Sequence, residues 1–474
     1  MMHMKKLMLL LAALLALGTI CALAEEAEPT VYTSGEWECV LREDGTAEIK
    51  GYNGSDTELN IPAQMEGRAV TVIGRAAFRN CASLTAVRIP SSVTTIGEYA
   101  FYKCSALSTI HCPDSVAVIG RRAFFGCQSL SIFRVPDSVV SIGSDAFSSC
   151  ESLTLIIPKG SYASEYQGEY GFPDVLGCLF YTLLEDGTAE VTGYTGTATE
   201  LTIPDGFTAI GEGAFSALSS LTSIMLPDGV TTIGNSAFSN CTGLTSIVLP
   251  DGVTTIGERA FSGCTSLTSI TIPDGVTTIG ERAFAECYVL TSITLPDSVT
   301  AIGNDAFHLC FSLTSITLPD SVTAIGERAF SDCYSLTSIM LPDGVTAIGA
   351  NPFARCVNLM DIIVSPDHPT LATIDGVLFD KEEKKLICYP CAYTNSSYAV
   401  PQGIRAIGDY AFNYCSSLTG ITLPDSVTSI GDRAFDYCSS LTSITVSRDS
   451  YAAQWCKENN LRYTYPDAND WLLN

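Results

Sequence analysis

The sequence predicts a repeat solenoid, built mainly of short β-strands with short helical or 3₁₀ turns between them. Three observations favour this fold. A 23-residue unit recurs along most of the 474-residue chain. Within the unit, an Ile-Gly pair and a Phe keep a fixed offset. A single unit holds too few apolar side chains to offset the entropy lost when its backbone is ordered, so neighbouring units must stack.

An Ile-Gly pair marks the repeat, and a Phe stands four residues after its Gly. The pair occurs 13 times, with a spacing of 23 residues within each run. Its glycines are Gly74, Gly97, Gly120, Gly143, Gly211, Gly234, Gly257, Gly280, Gly303, Gly326, Gly349, Gly408 and Gly431. Thirteen of the 20 phenylalanines occupy the position that follows, so the pattern reflects internal repetition and not chance.

The unit at 290–310 predicts two short strands. Ile293 and Leu295 alternate with a polar residue, which is the period of a strand with one buried face. A Pro-Asp-Ser turn follows, since Pro presets φ and the next two side chains bond to the local backbone. Val299 and Ile302 then stand among β-branched residues, which favours a second strand.

The rest of the unit predicts a corner and a short turn. Gly303 permits a sharp corner or a close approach between backbones. Residues 305–307 predict a helical or 3₁₀ turn, with Phe307 and Cys310 pointing inward. Stacking then places each Phe on the next Phe. At about 4.8 Å per coil, the coils form an arc roughly 60 Å long.

These units resemble the BspA-like, or Treponema-type, leucine-rich repeats, whose pattern is L-x-x-I-x-I-P-x-x-V-x-x-I-G-x-x-A-F-x-x-C. The segment from Leu267 to Cys287 matches it at every defined position, and the resemblance covers most of residues 60–446. The resemblance implies leucine-rich repeat arcs in a bacterial protein that is secreted or held at the cell surface. It also implies adhesion to host matrix proteins or to other cells, without naming a ligand.

Interruptions of the register indicate two arrays, each with a cap at both ends. Residues 185–190 repeat the sequence of residues 43–48, and both predict a β-hairpin that starts an array. Ser-Tyr-Ala at 161–163 recurs at 450–452, and both predict a short helix that ends an array. One continuous bent arc is the alternative. The predicted signal peptide, first array and second array span residues 1–24, 25–176 and 177–474.

A further break, at about 365–400, predicts a β-hairpin inserted into the second array. The apolar segments 374–379 and 386–390 flank a charged turn at 381–385. Such an insert serves either as a binding loop or as structural padding.

Residues 1–24 predict a secretory signal. Lys5 and Lys6 precede an apolar run from Leu7 to Leu17, and Ala-Leu-Ala at 22–24 is a cleavage site. A retained membrane anchor is the alternative, although the run is short for a full span. The net charge of −26 disfavours nucleic acid and anionic lipid surfaces, which need clustered Lys and Arg. We therefore expect an extracellular protein that is released or associated with the cell surface, with no membrane insertion after cleavage.

The sequence contains no motif for catalysis, so we expect no enzyme, no catalytic residue, no metal and no cofactor. His111, His308 and His368 stand in separate units, and no Ser-His-Asp arrangement follows from them. Cys388 and Cys391 form a C-x-x-C at the end of a predicted strand, whereas a redox pair opens a helix. A column of aspartates in the Pro-Asp turns suits either the turns themselves or a calcium ion.

Twelve cysteines occupy the position three residues after the repeat Phe. Leu218 fills this position in the remaining unit. Because Leu can replace Cys there, we expect buried free thiols that act as small hydrophobic groups and not as ligands.

The outward positions of the first strand are the candidate ligand-binding surface. The second, third and fifth residues of the L-x-x-I-x-L segment are expected to point outward, and in the second array most are Thr or Ser. In the first array we assign Arg88, His111, Phe133 and Arg134 to outward positions. A basic and aromatic patch on an acidic protein is typical of a binding surface. Sequence drift on an inert scaffold is the alternative.

Together these features favour an extracellular binding or adhesion module that recognises a protein or glycan ligand on host or microbial surfaces. The secretion signal, the solenoid and the lack of catalytic motifs support this interpretation. The alternative is a structural cell-surface protein without a specific ligand, which self-associates through the sheet edges at its ends.

Overall fold

The computed structural model describes residues 30–169, 171–172 and 174–466, so the predicted signal peptide lies outside the described residues. The chain divides into two compact units. Unit 1 ends at Thr182 and also holds Tyr194–Gly196, whereas unit 2 holds Leu183–Gly193 and continues from Thr197. In the described part of the chain, no helix is long and apolar enough to cross a membrane.

The predicted repeat solenoid is confirmed: a regular coil has two short strands and a turn, and in the coil at 313–335 a single bridge from Thr317 to Thr294 takes the place of the first strand. The first strand carries the Ile of the L-x-x-I-x-L segment, and equivalent strands pair in parallel, as Ile270 does with Ile293. In unit 1 these strands are Glu58–Asn60, Ala86–Arg88, Thr109–His111, Ile132–Arg134 and the longer Cys150–Pro158. In unit 2 they are Glu200–Thr202, Ser223–Met225, Ser246–Val248, Ser269–Thr271, Ser292–Thr294, Ser338–Leu341, Asp361–Val364, Ser397–Ala399, Gly420–Leu423, Ser443–Val446 and Tyr463–Thr464.

The second strand of each coil ends at the Ile of the Ile-Gly pair. These strands also pair in parallel and in register, as Ile279 does with Ile302. In unit 1 they are Arg68–Ile73, Thr95–Ile96, Val118–Ile119 and Ser141–Ile142. In unit 2 they are Phe207–Ile210, Thr232–Ile233, Thr255–Ile256, Thr278–Ile279, Ala301–Ile302, Ala324–Ile325, Ala347–Ile348, Ala406–Ile407 and Ser429–Ile430.

The remaining elements lie at array ends and in the insert. Unit 1 opens with three antiparallel strands, and a short strand pairs with Arg68–Ile73; these are Val31–Ser34, Trp37–Leu41, Ala47–Tyr52 and Gln64–Met65. The division between the units falls within Val175–Leu183 and Ala189–Gly196. The insert forms an antiparallel hairpin with a third strand: Leu371–Ile374, Val377–Asp380 and Lys385–Cys388. The described residues form two helices, α1 (Tyr162–Glu169) and α2 (Tyr451–Glu458). Ser450 caps α2 by accepting a hydrogen bond from the backbone N–H of Ala453.

The core consists of columns in which each side chain packs on its equivalent in the next coil. Phe261 shows the geometry: its ring centroid lies 5.3 Å from that of Phe238 and 5.4 Å from that of Phe284, and each pair of ring planes is inclined by only 4°. The Leu, Ile, Val and Ala positions of the repeat are buried in the same way. Because each buried Phe contributes roughly 1.5–3 kcal/mol, the columns stabilise the stack although no single coil has a core of its own.

The glycine of the Ile-Gly pair allows neighbouring backbones to come close. A Cβ atom added to Gly303 would lie 2.7 Å from the backbone nitrogen of Glu281 and 2.8 Å from the carbonyl carbon of Gly280. Of the two roles that the sequence predicted for this glycine, the close approach is the one that the structure shows.

The third side of each coil is a run of hydrogen-bonded turns. Ala306 N–H donates to Gly303 O at 3.3 Å, as a 3₁₀ turn requires, but Asp305 N–H and Phe307 N–H donate to carbonyls of the following coil. Asp305 and Leu309 have φ values of 52° and 63°, in the left-handed region. Alternate residues thus point their N–H groups along the solenoid axis, and the turn side carries its own ladder of hydrogen bonds between coils.

The cysteine column lies beside the Phe column. All 18 cysteines of the described residues are free thiols. The thiol of Cys287 contacts Phe261 O of an earlier coil at 3.3 Å, and this contact recurs along the column. Burial raises the pKa of Cys241 to about 11. The column therefore packs as a row of small apolar groups, each with a weak hydrogen bond.

Candidate binding sites

Side chains at the fifth position of the L-x-x-I-x-L segment, which lies in the first strand of each coil, form an exposed column in unit 1. Arg88 pairs in register with Asn60 on one side and with His111 on the other, and all three side chains are exposed. A shallow groove of about 270 Å³ runs along these strands, with Glu58 also on its wall. The structure thus brings two of the four predicted site residues together on one face.

Arg134 occupies the same position in a later coil of unit 1. Its strand pairs with Cys150–Pro158, where Arg134 lies opposite Ile156. Its guanidinium lies 5.1 Å from the ring centroid of Tyr181, so a cation–π contact orients this side chain. Arg134 is exposed, as the sequence predicted.

The predicted outward orientation of Phe133 is wrong. Phe133 is only 1% exposed, and its ring packs between those of Phe124 and Phe147 at 5.1 Å and 5.0 Å. Counted from Leu130, Phe133 is the fourth residue of the segment and fills the inward Ile position. Alternation along a strand therefore places it in the core, and it does not belong to a binding surface.

In unit 2, the hydroxyl groups of a column of Thr residues form hydrogen bonds between neighbouring coils. At the second position of the L-x-x-I-x-L segment, just before the first strand, the Thr291 hydroxyl donates to Thr268 O at 3.2 Å, and the Thr314 hydroxyl donates to Thr291 O at 3.4 Å. Each hydroxyl thus supplements the backbone ladder between coils. This use of the Thr side chains favours a scaffold role for the regular part of the sheet.

On the first-strand face of unit 2, apolar side chains replace Thr at some fifth positions of the L-x-x-I-x-L segment. Met225 and Val248 lie in register and are 66% and 82% exposed. Met340 and Ile363 form a second such pair, beside a groove of about 600 Å³ that Pro366 also lines. Exposed apolar side chains on a flat sheet are typical of surfaces that bind a partner.

Sequence reasoning missed two clusters on the turn side. In unit 1, Arg79 lies over the rings of Tyr99 and Tyr102, at 5.9 Å and 5.2 Å from their centroids, and Lys103 also lies over Tyr102. In unit 2, arginines and tyrosines line a cleft of about 340 Å³ next to the insert. The only sequence signal for either cluster was Arg, Lys or Tyr two, five or six residues after the repeat Gly.

The two histidines of unit 2 contact backbone groups and a carboxylate. His368 is buried, and its Nδ1 accepts hydrogen bonds from the backbone N–H groups of Thr370 and Leu371. Burial lowers the pKa of His308, and this effect exceeds the opposite influence of Asp332, whose carboxylate lies 3.5 Å away. His368 thus holds a backbone turn, and His308 packs beside the Asp332 carboxylate, which also accepts a hydrogen bond from the Ser331 hydroxyl at 2.8 Å.

The C-x-x-C pair does not form an isolated redox couple. Cys388 is buried at the end of its strand, whereas Cys391 Sγ lies 3.2 Å from Cys415 Sγ in the next coil. Among the described residues, no group of three or more His, Cys, Asp or Glu side chains is placed to hold a metal ion.

The profile of the BspA type leucine rich repeat region matches the chain at residues 59–172, 193–310, 277–395 and 387–459. A comparison with curated proteins gives no match.

Three solved structures illustrate the similarity. A leucine-rich repeat protein from Bacteroides ovatus is 27% identical, over 94% of this chain and 100% of that chain, with a TM-score of 0.40. A leucine rich cell surface protein from Faecalibacterium prausnitzii is 29% identical, over 90% and 97% of the two chains, with a TM-score of 0.33. A leucine-rich repeat protein from T. pallidum is 25% identical, over 55% and 91%, with a TM-score of 0.25.

Proposed function

The chain belongs to the family of BspA-type leucine-rich repeat proteins, and from this premise we propose that it is an extracellular binding protein. It would adhere to a protein or glycan ligand on a host or microbial surface. The predicted signal at 1–24 would direct its secretion, and no catalytic step is part of the proposal.

One observation carries the proposal: side chains suited to binding stand in register on the rigid first-strand sheet. Arg88 and His111 are exposed neighbours in unit 1, and Arg134 occupies the same strand position further along. The surrounding repeat fixes the backbone, so a ligand would meet a surface that loses little entropy on binding. An acidic protein that concentrates basic groups on one face would favour an acidic patch on its partner.

The test is a binding screen of the purified protein against arrayed extracellular matrix proteins, mucins and glycans. We expect at least one saturable interaction that weakens at least about tenfold in the Arg88→Ala/His111→Ala/Arg134→Ala variant. The control variant is Thr271→Ala/Thr294→Ala/Thr317→Ala, which truncates the same strand position in the regular part of unit 2. It should bind as the unmodified protein does.

Other outcomes would redirect the assignment. Equal binding by the triple alanine variant would move the site to another surface, with the Met340 and Ile363 groove tested next. A complete lack of binding, together with an apparent mass that grows with protein concentration in sizing experiments, would contradict the proposal and support a structural, self-associating protein.

A further inference from the structure

The coil that contains the insert is two residues short on its turn side. Leu386 pairs with Ile407, and Tyr389 takes the position of the repeat Phe, because its ring centroid lies 5.2 Å from that of Phe412. Leu386 and Tyr389 are three positions apart, whereas Ile407 and Phe412 are five positions apart. The residues that form the outer edge of a regular coil are therefore missing here.

The missing edge lets the turn before the insert touch the turn after it. Asn351 Nδ2 donates to Tyr410 O at 2.7 Å, and Arg355 Nη2 donates to the Tyr414 hydroxyl at 3.3 Å. A cleft of about 340 Å³ lies between these turns. Sites for small ligands have roughly 300–1,000 Å³, so this cleft suits a molecule with one or two rings.

Guanidinium groups and aromatic rings line the cleft together. The Arg355 guanidinium lies 4.4 Å from the ring centroid of Tyr414, whose ring lies 4.4 Å from that of Tyr437. Tyr437 is 66% exposed, so its ring is open to a ligand. Among the described residues of the lining, three arginines stand against a single aspartate, Asp436.

The arginines differ in how they are held. Arg355 Nε lies 3.0 Å from the buried carboxylate of Asp332, and Arg328 Nε lies 3.5 Å from Asp305. These contacts fix the two side chains at the cleft wall. Arg433 is exposed and forms no ion pair with any described residue. Its guanidinium lies 6.0 Å from the ring centroid of Tyr410. An anion that entered the cleft would therefore meet a cation that no carboxylate neutralises, in a protein whose net charge is −26.

A buried acceptor in the wall is also without a partner. Asn413 is only 3% exposed, and its Nδ2 donates to Asp436 O at 3.3 Å. Its Oδ1 has no hydrogen-bond donor among the described residues. Buried polar atoms are nearly always hydrogen-bonded. Oδ1 itself is closed to solvent, so an O–H donor from a molecule in the cleft would complete this site after a small shift of the Asn413 side chain.

We propose that the cleft binds an acidic saccharide, a sugar ring that carries a carboxylate or sulfate group. The anionic group would pair with Arg433 and with the terminal nitrogens of Arg355. A sugar hydroxyl would donate to Asn413 Oδ1 once that side chain shifts to open the atom to the cleft. The C–H groups on one face of the sugar would pack on the negative face of a tyrosine ring. This site is on the turn side, so it does not rest on the proposed use of the first-strand surface.

An acidic peptide fits the cleft less well than a sugar does. A Glu or Asp side chain offers acceptors to the arginines, and a peptide could use a backbone N–H as the donor, but its carboxylate, its donor and an apolar face do not lie on one rigid ring. An acidic sugar supplies all three groups within a single ring, which matches the size of the cleft.

The test is calorimetric titration of the purified protein with glucuronic acid, N-acetylneuraminic acid and glucose 6-sulfate, with glucose as the neutral control. We expect saturable binding of at least one acidic sugar and no binding of glucose. Arg433→Ala/Tyr437→Ala should weaken this binding at least about tenfold. Both side chains are exposed, so this variant should keep the circular dichroism spectrum of the parent.

The matched control is Arg259→Ala. Arg259 stands two residues after its repeat Gly, as Arg433 does, with φ values of 54° and 53°, but it belongs to a regular coil. It should leave binding unchanged. The proposal fails if no acidic sugar binds, if glucose binds equally well, or if Arg433→Ala/Tyr437→Ala binds as the parent does. Tighter binding of a glutamate-rich peptide or of AMP would also overturn it.

Discussion

Alkaline pH should unfold this protein through its buried cysteines. In unit 1, burial raises the pKa of Cys150 to about 11 and the pKa values of Cys104, Cys112 and Cys178 to about 12. An unfolded thiol has a pKa of about 8.5. Since the folded pKa values are raised, the stability contribution of each thiol is complete below about pH 8.5 and is lost as pH rises toward 11–12.

The magnitude follows from the linkage between ionisation and folding. Between pH 8 and pH 10, an unfolded thiol with a pKa of about 8.5 gains about 2 kcal/mol from ionisation, while a folded thiol that titrates at 11 or above gains almost nothing. These four of the seven described thiols of unit 1 should together lower its free energy of unfolding by about 8 kcal/mol. Domains typically have 5–15 kcal/mol of stability in total, so unit 1 should be close to unfolding at pH 10.

The assay is urea unfolding at pH 8, 9 and 10 in the presence of a reducing agent. In a background with Trp455→Phe and Trp471→Phe, Trp37 is the only tryptophan, and its fluorescence reports on unit 1. Cys104→Ala/Cys150→Ala should reduce the loss between pH 8 and pH 10 by about 4 kcal/mol, because two of the titrating groups are gone.

Val93→Ala provides the matched control. Val93 is fully buried in the same unit and does not ionise, so this variant should be less stable at every pH with an unchanged pH dependence. The reasoning would be refuted if the protein lost less than about 2 kcal/mol between pH 8 and pH 10. It would also be refuted if the double cysteine variant and Val93→Ala had the same pH dependence.

Three further substitutions and one control test the packing and the backbone conformation, each measured by urea unfolding at pH 7. Gly303→Ala should cost about 2 kcal/mol or more, because its Cβ would lie 2.7 Å from a backbone nitrogen, whereas Gly420→Ala, with its closest contact at 3.7 Å, should be tolerated. Glu286→Gly should be neutral or stabilise by up to about 1 kcal/mol, because φ is 62° at this position; a clear loss would contradict the left-handed backbone there. Phe261→Ala should cost about 3–5 kcal/mol, because it opens a cavity in the ring column, and a loss below 1 kcal/mol would contradict that packing.

The regular coil was predictable because each of its positions meets a copy of itself in the next coil. The alternation of Ile293 and Leu295 predicted a strand with one buried face, and both residues are buried. The same rule, applied from the correct starting residue, would have placed Phe133 inside. That error lay in the register of one irregular coil, where Phe stands in place of the usual Ile, and not in the principle.

The left-handed positions of the turn could not be inferred from residue type. Asp305, Leu309 and Arg259 all have positive φ, although none of them is a residue that favours this region as glycine does. The hydrogen bonds to the following coil impose the conformation. Gly126 and Gly263, which occupy the same position as Leu309 in other coils, were the available sequence signal.

The cleft beside the insert exists because one coil lacks two residues of its outer turn. In a regular run, every outer turn rests on an identical turn at a spacing of 23 residues, so the surface repeats and leaves no room between coils. The shorter path from Leu386 to Tyr389 removes one outer edge, and the side chains on either side, Arg355 and Tyr414, meet across the gap. A solenoid of near-identical coils can thus gain a cleft through a shortened coil, while the repeat on both sides keeps the walls in place.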